Sequence, residues 1–143
     1  MGDQARILVG LTDEPITGDR LQRETGDPGC GALVTFLGTV RDEHHGRAVE
    51  RLDYSAYPAM AEREMRKIAE EIVERWEARV VVILHRTGTL GIGEVSVGIG
   101  LSFPHRRESF EALRHAIDTF KESVPIWKRE HFTDGEAVWV EGS

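Results

Sequence analysis

The stretch FEALRHAIDTFKESVPIWKRE, residues 110–130, combines an amphipathic helix, a proline break and a charged extended segment. Its apolar side chains recur at three- and four-residue intervals, the spacing of a helix face turned toward a core. They are Phe110, Leu113, Ile117, Phe120 and Val124. Pro125 has no backbone N–H and disfavours helical geometry in the residue before it. The helix is therefore predicted to end near Ser123, with Lys121 in its last turn and Lys128 beyond the break.

The two lysines lie on differently directed elements that a rigid proline joins, so their amines can converge on one anion or carbonyl group. A second interpretation is that Lys121 only offsets the negative end of the helix dipole and that Trp127 is a core residue. A large aromatic side chain among the charges of residues 127–130 is unusual for a surface loop. Local chemistry alone leaves both interpretations open.

The elements around this stretch predict an α+β fold. Apolar or alternating segments at residues 6–11, 32–40, 49–56, 80–85, 94–102 and 137–140 are typical of strands. Pro58 is predicted to open a long helix that ends near Trp76, and residues 12–29 are predicted to be irregular, with room for a short helix. The loop RDEHHGR, residues 41–47, is predicted to join its two flanking strands as a hairpin. We expect a mixed sheet that two long helices cover on one side, with a small additional β subdomain.

The composition is that of an ordinary globular chain, and we expect one domain over residues 1–143. Hydrophobic residues make up 40% and charged residues 30% of the 143 positions. The formal net charge of −7 argues against general binding to nucleic acid or acidic membranes, because both need clustered positive charge.

The cellular location predicted from the sequence is the cytoplasm. Cys30 is the single cysteine, which excludes an internal disulfide and a cysteine-based zinc site and favours a reducing compartment. The opening MGDQARILVG lacks the charged-then-apolar layout of a signal peptide, and no apolar run approaches membrane-spanning length.

The strand at residues 94–102 has one nearly bare face. Apolar residues at 95, 97, 99 and 101 alternate with Ser96, Gly98, Gly100 and Ser102. Such a face admits the close approach of a ligand, another backbone or a packed helix, and the sequence leaves these alternatives open.

The run SFPHRRESF, residues 102–110, resembles a helix start with cations in its first turn. Pro104 suits the first helical position and Ser102 is a candidate cap. His105, Arg106 and Arg107 would then oppose the positive end of the helix dipole, which favours a bound anion in compensation. Salt bridges to nearby carboxylates are the alternative.

Among the remaining candidate site residues, Arg41 is the one that the sequence favours for ligand contact. Arg41 follows the strand at residues 32–40 and opens into a loop, a common location for ligand contacts. The adjacent His44 and His45 lack the carboxylate or cysteine support of a metal site and are more simply solvated. The segment GTLGIG precedes a strand, unlike a phosphate loop, and Cys30 has no adjacent base. The residues together predict an anion-handling pocket without metal or cofactor, formed by Arg41, His105, Arg106, Lys121 and Lys128.

The segments VTFLGTVRD, YSAYPAM, HRTGTLGIGE, FPHRRESFEA and KESVPIWKRE resemble, in order and spacing, the large catalytic subunits of molybdopterin synthases. The similarity runs from about residue 31 to residue 139. The resemblance implies an α/β hammerhead-type fold and a homodimer that binds two small ubiquitin-like sulfur-carrier subunits in a heterotetramer. It also implies sulfur transfer from the carrier's carboxy-terminal Gly-Gly thiocarboxylate to cyclic pyranopterin monophosphate, forming the dithiolene of molybdopterin.

The resemblance also implies roles for individual residues. Lys121 and Lys128 are implied as catalytic, with Lys121 nearest the carrier's tail. His105 and Arg106 are implied to reach a pocket across the dimer interface. The implied substrate-binding residues are Thr39, Val40, Arg41, His105, Arg106, Lys121, Lys128, Arg129 and Glu130.

Two expectations qualify the resemblance. The bare Gly98 and Gly100 face would admit an extended glycine tail, in which case Gly98→Val weakens carrier binding. The chain ends at Ser143, where family members often continue in a charged helical tail, and we expect no consequence of this end for carrier binding. Two alternatives remain. One is a scaffold that binds the carrier without catalysis. The other is a different phosphate-ligand enzyme, such as a pterin- or nucleotide-processing hydrolase. Co-purification of a small protein ending in Gly-Gly separates those two.

Overall fold

The computed structural model describes residues 4–142 and confirms the α+β class. The strands are β1 (Arg6–Thr12), β2 (Ala32–Thr39), β3 (Glu43–His44), β4 (Arg47–Ala56), β5 (Val80–Arg86), β6 (Gly88–Gly91), β7 (Val95–Phe103), β8 (Ile126–Phe132) and β9 (Ala137–Glu141). The helices are α1 (Gly18–Thr25), α2 (Pro58–Trp76) and α3 (Ser109–Ser123). Both ends of α2 and the end of α3 at the proline break lie where the sequence predicts them. No helix in the described part of the chain is both long and apolar enough to span a membrane.

The larger sheet is mixed and has helices on both faces. Its order is β1-β5-β7-β2, with β1 parallel to β5 and the other pairs antiparallel. Helices α2 and α3 bury one face, in a core that includes Ile72, Ile83, Ile99 and Phe120. The prediction of helices on one side only is therefore wrong, because α1 packs on the opposite face through Leu21.

The smaller sheet is the additional β subdomain that was predicted. Its order is β3-β4-β8-β9, and β6 also pairs with β4. The predicted hairpin between β2 and β4 is wrong, since β2 pairs with β7 and β4 pairs with β8. A tighter turn decides this outcome: His45 and Gly46 have φ of 52° and 77°, the left-handed geometry of a two-residue hairpin turn, and so join β3 to β4.

The start of α3 differs from the sequence prediction. The helix begins at Ser109, so His105, Arg106 and Arg107 precede it and do not lie in its first turn. Ser102 lies in β7, where its hydroxyl donates to the Thr25 carbonyl, and it caps no helix.

Phe110 is 77% exposed and does not belong to the buried stripe of α3. The buried positions on this helix are Ser109, Ala112, Leu113, Ala116 and Phe120. Because each residue turns an α-helix by about 100°, Phe110 points well away from Ser109. The sequence pattern predicts the period of the helix correctly, but the buried face is rotated from the predicted one and includes Ser109 instead of Phe110.

The glycine face of β7 is closed by α1 and the segment before it. A Cβ atom at Gly98 would lie 2.9 Å from Ile16 Cγ2, and one at Gly100 would collide with the Thr25 side chain. The expectation that this face admits a glycine tail is therefore wrong. A close-packed helix is one of the alternatives that the sequence leaves open. It occupies this space because Gly98 and Gly100 have no side chains that would keep it away from the strand.

Candidate functional site

A polar cavity of about 310 Å³ lies between the two sheets. The end of β2 and the start of β7 form one wall, β3, β4 and β8 form another, and the last turn of α3 closes a side. The lining residues are Phe36, Gly38, Thr39, Val40, Arg41, Glu43, His44, Val49, Leu52, Tyr54, Ser96, Val97, Lys121, Lys128 and Glu130.

The proline break brings Lys121 and Lys128 to this one cavity, as the sequence predicts. Lys121 lies in the last turn of α3, and the chain resumes after Pro125 as β8, where Lys128 pairs with Tyr54 of β4. A helix end and a strand thus direct two amines into the same space.

Burial lowers the pKa of the Lys128 amine below its usual value of 10.5. The nearby carboxylate of Glu130 acts in the opposite direction, and the positive charges of Arg41 and Lys121 lower the pKa further. Desolvation and like charges both disfavour the ammonium form, so Lys128 loses its proton more readily than a lysine in water.

Arg41 supplies a third positive charge in the lining of the cavity. It follows β2 at a register irregularity between Gly38 and Thr39, where the chain leaves the larger sheet. Hydrogen bonds between the Val40 backbone and residues 93 and 94 fix this exit. None of the ion pairs found within residues 4–142 includes Arg41, Lys121 or Lys128. The cavity therefore offers three cations with no carboxylate in direct contact, an arrangement suited to an anion.

A buried carboxylate lies beside these cations. Glu130 is only 4% exposed, and its side chain accepts a hydrogen bond from His44 Nδ1 at 2.9 Å. Tyr54 forms the floor nearby, and burial raises the pKa of its hydroxyl although the hydrogen bond with Ser96 acts in the opposite direction. Glu130, His44, Tyr54 and Ser96 thus form a polar part of the cavity lining, beside Lys128 on β8.

Three residues predicted for the pocket lie elsewhere in this chain. Arg129 points to the opposite face of β8, because side chains alternate along a strand, and its guanidinium lies 6.0 Å from the centre of the Trp139 ring. His105 and Arg106 are exposed in the turn before α3, and His105 lines a separate cavity of about 430 Å³ beside Trp76. An anion pocket that includes His105 and Arg106 is therefore not formed within one chain.

The sequence-based interpretation missed part of the cavity wall. The sequence does not identify Glu43, Tyr54 and Ser96 as site residues, and it indicates His44 only as a solvated or metal-binding residue. Alternation along β4 could have indicated Tyr54, but its position opposite Lys128 depends on strand pairing that no local pattern gives.

Neither the metal nor the thiol alternative gains support. Among residues 4–142, no group of three or more histidine, cysteine, aspartate and glutamate side chains is placed to hold a metal ion. Burial raises the pKa of the Cys30 thiol, with Asp27 adding to the effect, so the reactive thiolate is disfavoured.

Comparisons with known proteins agree on one family. The family model described as "MoaE protein" matches residues 11–123. The chain is 46% identical over 130 residues to the molybdopterin synthase catalytic subunit of Halalkalibacterium halodurans, spanning 91% of this chain and 83% of that relative. It is 42% identical over 130 residues to the subunit of the same name from Bacillus subtilis, spanning 91% and 82% respectively.

The fold is also found in a solved structure. The crystal structure of molybdopterin synthase from Staphylococcus aureus superposes with a TM-score of 0.85 at 39% identity, covering 92% of this chain and 95% of that chain. This similarity confirms the family fold that the sequence resemblance implied.

Proposed function

This chain belongs to the MoaE protein family, and we propose that it is the catalytic subunit of a molybdopterin synthase. In this role it is a sulfurtransferase. Sulfur passes from the thiocarboxylated carboxy terminus of a small ubiquitin-like carrier to cyclic pyranopterin monophosphate, and two transfers form the dithiolene of molybdopterin. A cytoplasmic setting is part of the proposal and accords with the single unpaired cysteine.

The observation that carries the proposal is the convergence of Arg41, Lys121 and Lys128 on one cavity. The proposed substrate has a cyclic phosphate and the proposed sulfur donor is an anionic thiocarboxylate, so both bring negative charge to the site. Three cations without carboxylate partners favour the simultaneous binding of these two anions.

The lysines have separate proposed roles. Lys121, on the helix end, contacts the carrier's thiocarboxylate, and Lys128 exchanges a proton with the reacting pterin. The lowered pKa of Lys128 supports this role, because a group that gives and takes a proton near neutral pH works best when its pKa approaches that pH. Thr39, Val40, Arg41 and Glu130 shape and charge the substrate pocket.

A second copy of the chain completes the proposed site. His105 and Arg106 lie away from the cavity of their own chain, and their exposed positions leave them available to a neighbouring copy. We propose a homodimer in which these residues serve the partner's pocket, with one carrier bound to each chain as a heterotetramer. Arg129, which faces away from the cavity of its own chain, contributes to substrate binding only through this assembly.

A single-turnover assay tests the proposal directly. Purified chain, thiocarboxylated carrier and cyclic pyranopterin monophosphate are mixed, and the dithiolene product is measured for the parent and for Lys121→Ala. We expect product from the parent and a loss of about a hundredfold or more in the variant. Lys67→Ala, on the exposed face of α2, is the matched control and retains the parent rate.

The other outcomes are equally informative. Similar rates for the parent and Lys121→Ala would move the chemistry to another residue, with Lys128→Ala as the next variant. Carrier binding without product from the parent chain would contradict the enzyme and support a scaffold. Product formation without any carrier would contradict the proposed sulfur donor.

A further inference from the structure

We propose that His44 is a positioning residue for the proposed reaction: its imidazole holds the Glu130 carboxylate and keeps it from pairing with Lys128. The inference rests on the proposed function for its effect on catalysis. The geometry that supports it belongs to the chain alone.

The contact between His44 and Glu130 is close and lies in the wall of the cavity. His44 Nδ1 is 2.9 Å from both oxygens of the carboxylate. A carboxylate is an acceptor, so Nδ1 carries the proton and donates. The Glu130 side chain is 5% exposed and the His44 side chain 25% exposed, so water competes little for the carboxylate.

Ion pairs to the β8–β9 turn hold the β3–β4 hairpin that carries His44. Arg47, three residues along, forms ion pairs with Asp134 at 2.9 Å and Glu136 at 2.8 Å. Its guanidinium also lies 3.7 Å from the centre of the Phe132 ring. Because the β8–β9 turn holds the hairpin in this way, the imidazole of His44 has a defined direction toward β8.

Without His44, Glu130 would have a different neighbour. Glu130 and Lys128 are two residues apart on β8, so their side chains leave the strand on the same face. The carboxylate already stabilises the Lys128 ammonium through space, although the structure shows no ion pair between them. A buried carboxylate that loses its hydrogen-bond donor is stabilised by pairing with a nearby positive charge, and the amine of Lys128 is close enough to interact with it.

Several charged or titratable groups face Lys128 and set its protonation together. They are Arg41 after β2, Glu43 and His44 on β3, Tyr54 on β4, Lys121 on α3 and Glu130 on β8. Of these, Glu130 is the nearby negative charge that the structure shows acting to raise the pKa of Lys128. His44 therefore affects the protonation of Lys128 by fixing the position of the Glu130 carboxylate.

The test compares side chains that keep or lose the N–H at Nδ1. His44→Ala and His44→Val lose it, and valine also suits a strand. His44→Asn retains a donor near the position of Nδ1. His115→Ala is the matched control, since His115 Nε2 makes a similar contact with the Glu71 carboxylate at 2.8 Å and neither residue lines the cavity. Thermal melting checks that each variant folds.

The first readout requires neither substrate nor carrier. Lysine residues labelled at Cε are followed by NMR across a pH titration, and Lys128 is assigned by Lys128→Arg. We expect the titration midpoint of Lys128 to rise in His44→Ala and His44→Val and to return toward the parent value in His44→Asn. An unchanged midpoint in the folded Ala and Val variants overturns the inference.

The second readout uses sulfur transfer. The loss variants are expected to lower kcat by about tenfold, as for other residues that orient a reacting group. The acidic limb of the pH–rate profile should move to higher pH while the KM for the pterin changes by less than about threefold. Equal losses in His44→Ala and His44→Asn overturn the inference. If the parent forms no dithiolene, the proposed function fails and the NMR titration alone decides for or against His44.

Discussion

Burial determines the protonation of individual residues in this chain, with different results at two positions. Lys128 lines the cavity, and burial lowers the pKa of its amine. His85 is fully buried between the Tyr54 ring, 4.9 Å away and edge-on, and the Phe120 ring, 5.7 Å away and parallel. Its Nδ1–H donates to the Arg86 carbonyl at 2.6 Å, and this bond raises its pKa, but the opposite effect of burial is larger and favours the neutral imidazole.

His85 makes stability depend on pH below neutrality. Burial lowers the pKa of His85 from 6.5 to about 4. The unfolded chain therefore binds a proton at His85 before the folded chain does, and the free energy of unfolding falls as the pH drops from 6.5 toward 4. The full effect is roughly 3 kcal/mol, because one pKa unit corresponds to about 1.4 kcal/mol. Urea unfolding at pH 7 and pH 5 should show about 2 kcal/mol of this effect, because the folded chain takes up the proton only near pH 4.

The control for this prediction is His85→Phe, which keeps an aromatic ring between Tyr54 and Phe120 and has no titrating group. Carboxylates also titrate in this range, so the comparison is between the pH dependences of the two proteins. A parent and a variant that lose the same stability between pH 7 and pH 5 would contradict the role of His85.

At the scale of elements, α1 depends on the absence of side chains on one face of β7. Gly98 lies under Ile16 and Leu21, and Gly100 lies under Thr25. The Thr25 hydroxyl donates to the Leu21 carbonyl, and the Ser102 hydroxyl donates to the Thr25 carbonyl, so the helix is also hydrogen-bonded to the strand. The glycines of β7 thus serve packing rather than a ligand.

Gly98→Val is expected to lower the free energy of unfolding by about 2 kcal/mol or more, as for other side chains forced into a packed interior. The valine would push Ile16 and α1 off the sheet. Gly18→Ala is the control, because its added methyl group would meet Leu37 Cδ1 at an ordinary 3.7 Å. Chemical denaturation of the two variants measures the difference. Weakened carrier binding with unchanged stability in Gly98→Val would instead restore the glycine-tail hypothesis.

At the scale of the whole molecule, one chain supplies only part of the proposed site. Arg41, Lys121 and Lys128 meet in the cavity, whereas His105 and Arg106 lie in the turn between β7 and α3. In a two-fold symmetric dimer, the same surface patch of each copy packs against the other copy. Residues that are remote from the pocket of their own chain can therefore complete the pocket of the partner.

Mixing two inactive variants tests this arrangement. Lys121→Ala and His105→Ala are each expected to lose sulfur transfer as homodimers. In a mixed dimer, the pocket of the His105→Ala chain keeps its own Lys121 and receives His105 from the partner, so one of two sites is intact. An equal mixture after subunit exchange should recover about a quarter of the parent rate. No recovery, with mixed dimers shown to form, would contradict the shared site.

Local sequence signals were enough to predict several of the elements. Pro125 ends α3 and Pro58 opens α2, because a proline ring constrains the backbone wherever the chain goes. The extended segment after the break also placed Lys128 correctly on a strand. The family resemblance rests on such segments in order, and the comparisons confirm it.

Which elements pack against one another, by contrast, depends on the fold of the whole chain. The partner of β4, the helix over Gly98 and the contact between His44 and Glu130 join residues far apart in the chain. Strand pairing and side-chain burial depend on the competition among all the surfaces that the chain can form, and no local pattern records its outcome. For the same reason, the sequence identified three cations of the cavity but not the histidine that holds the carboxylate beside them.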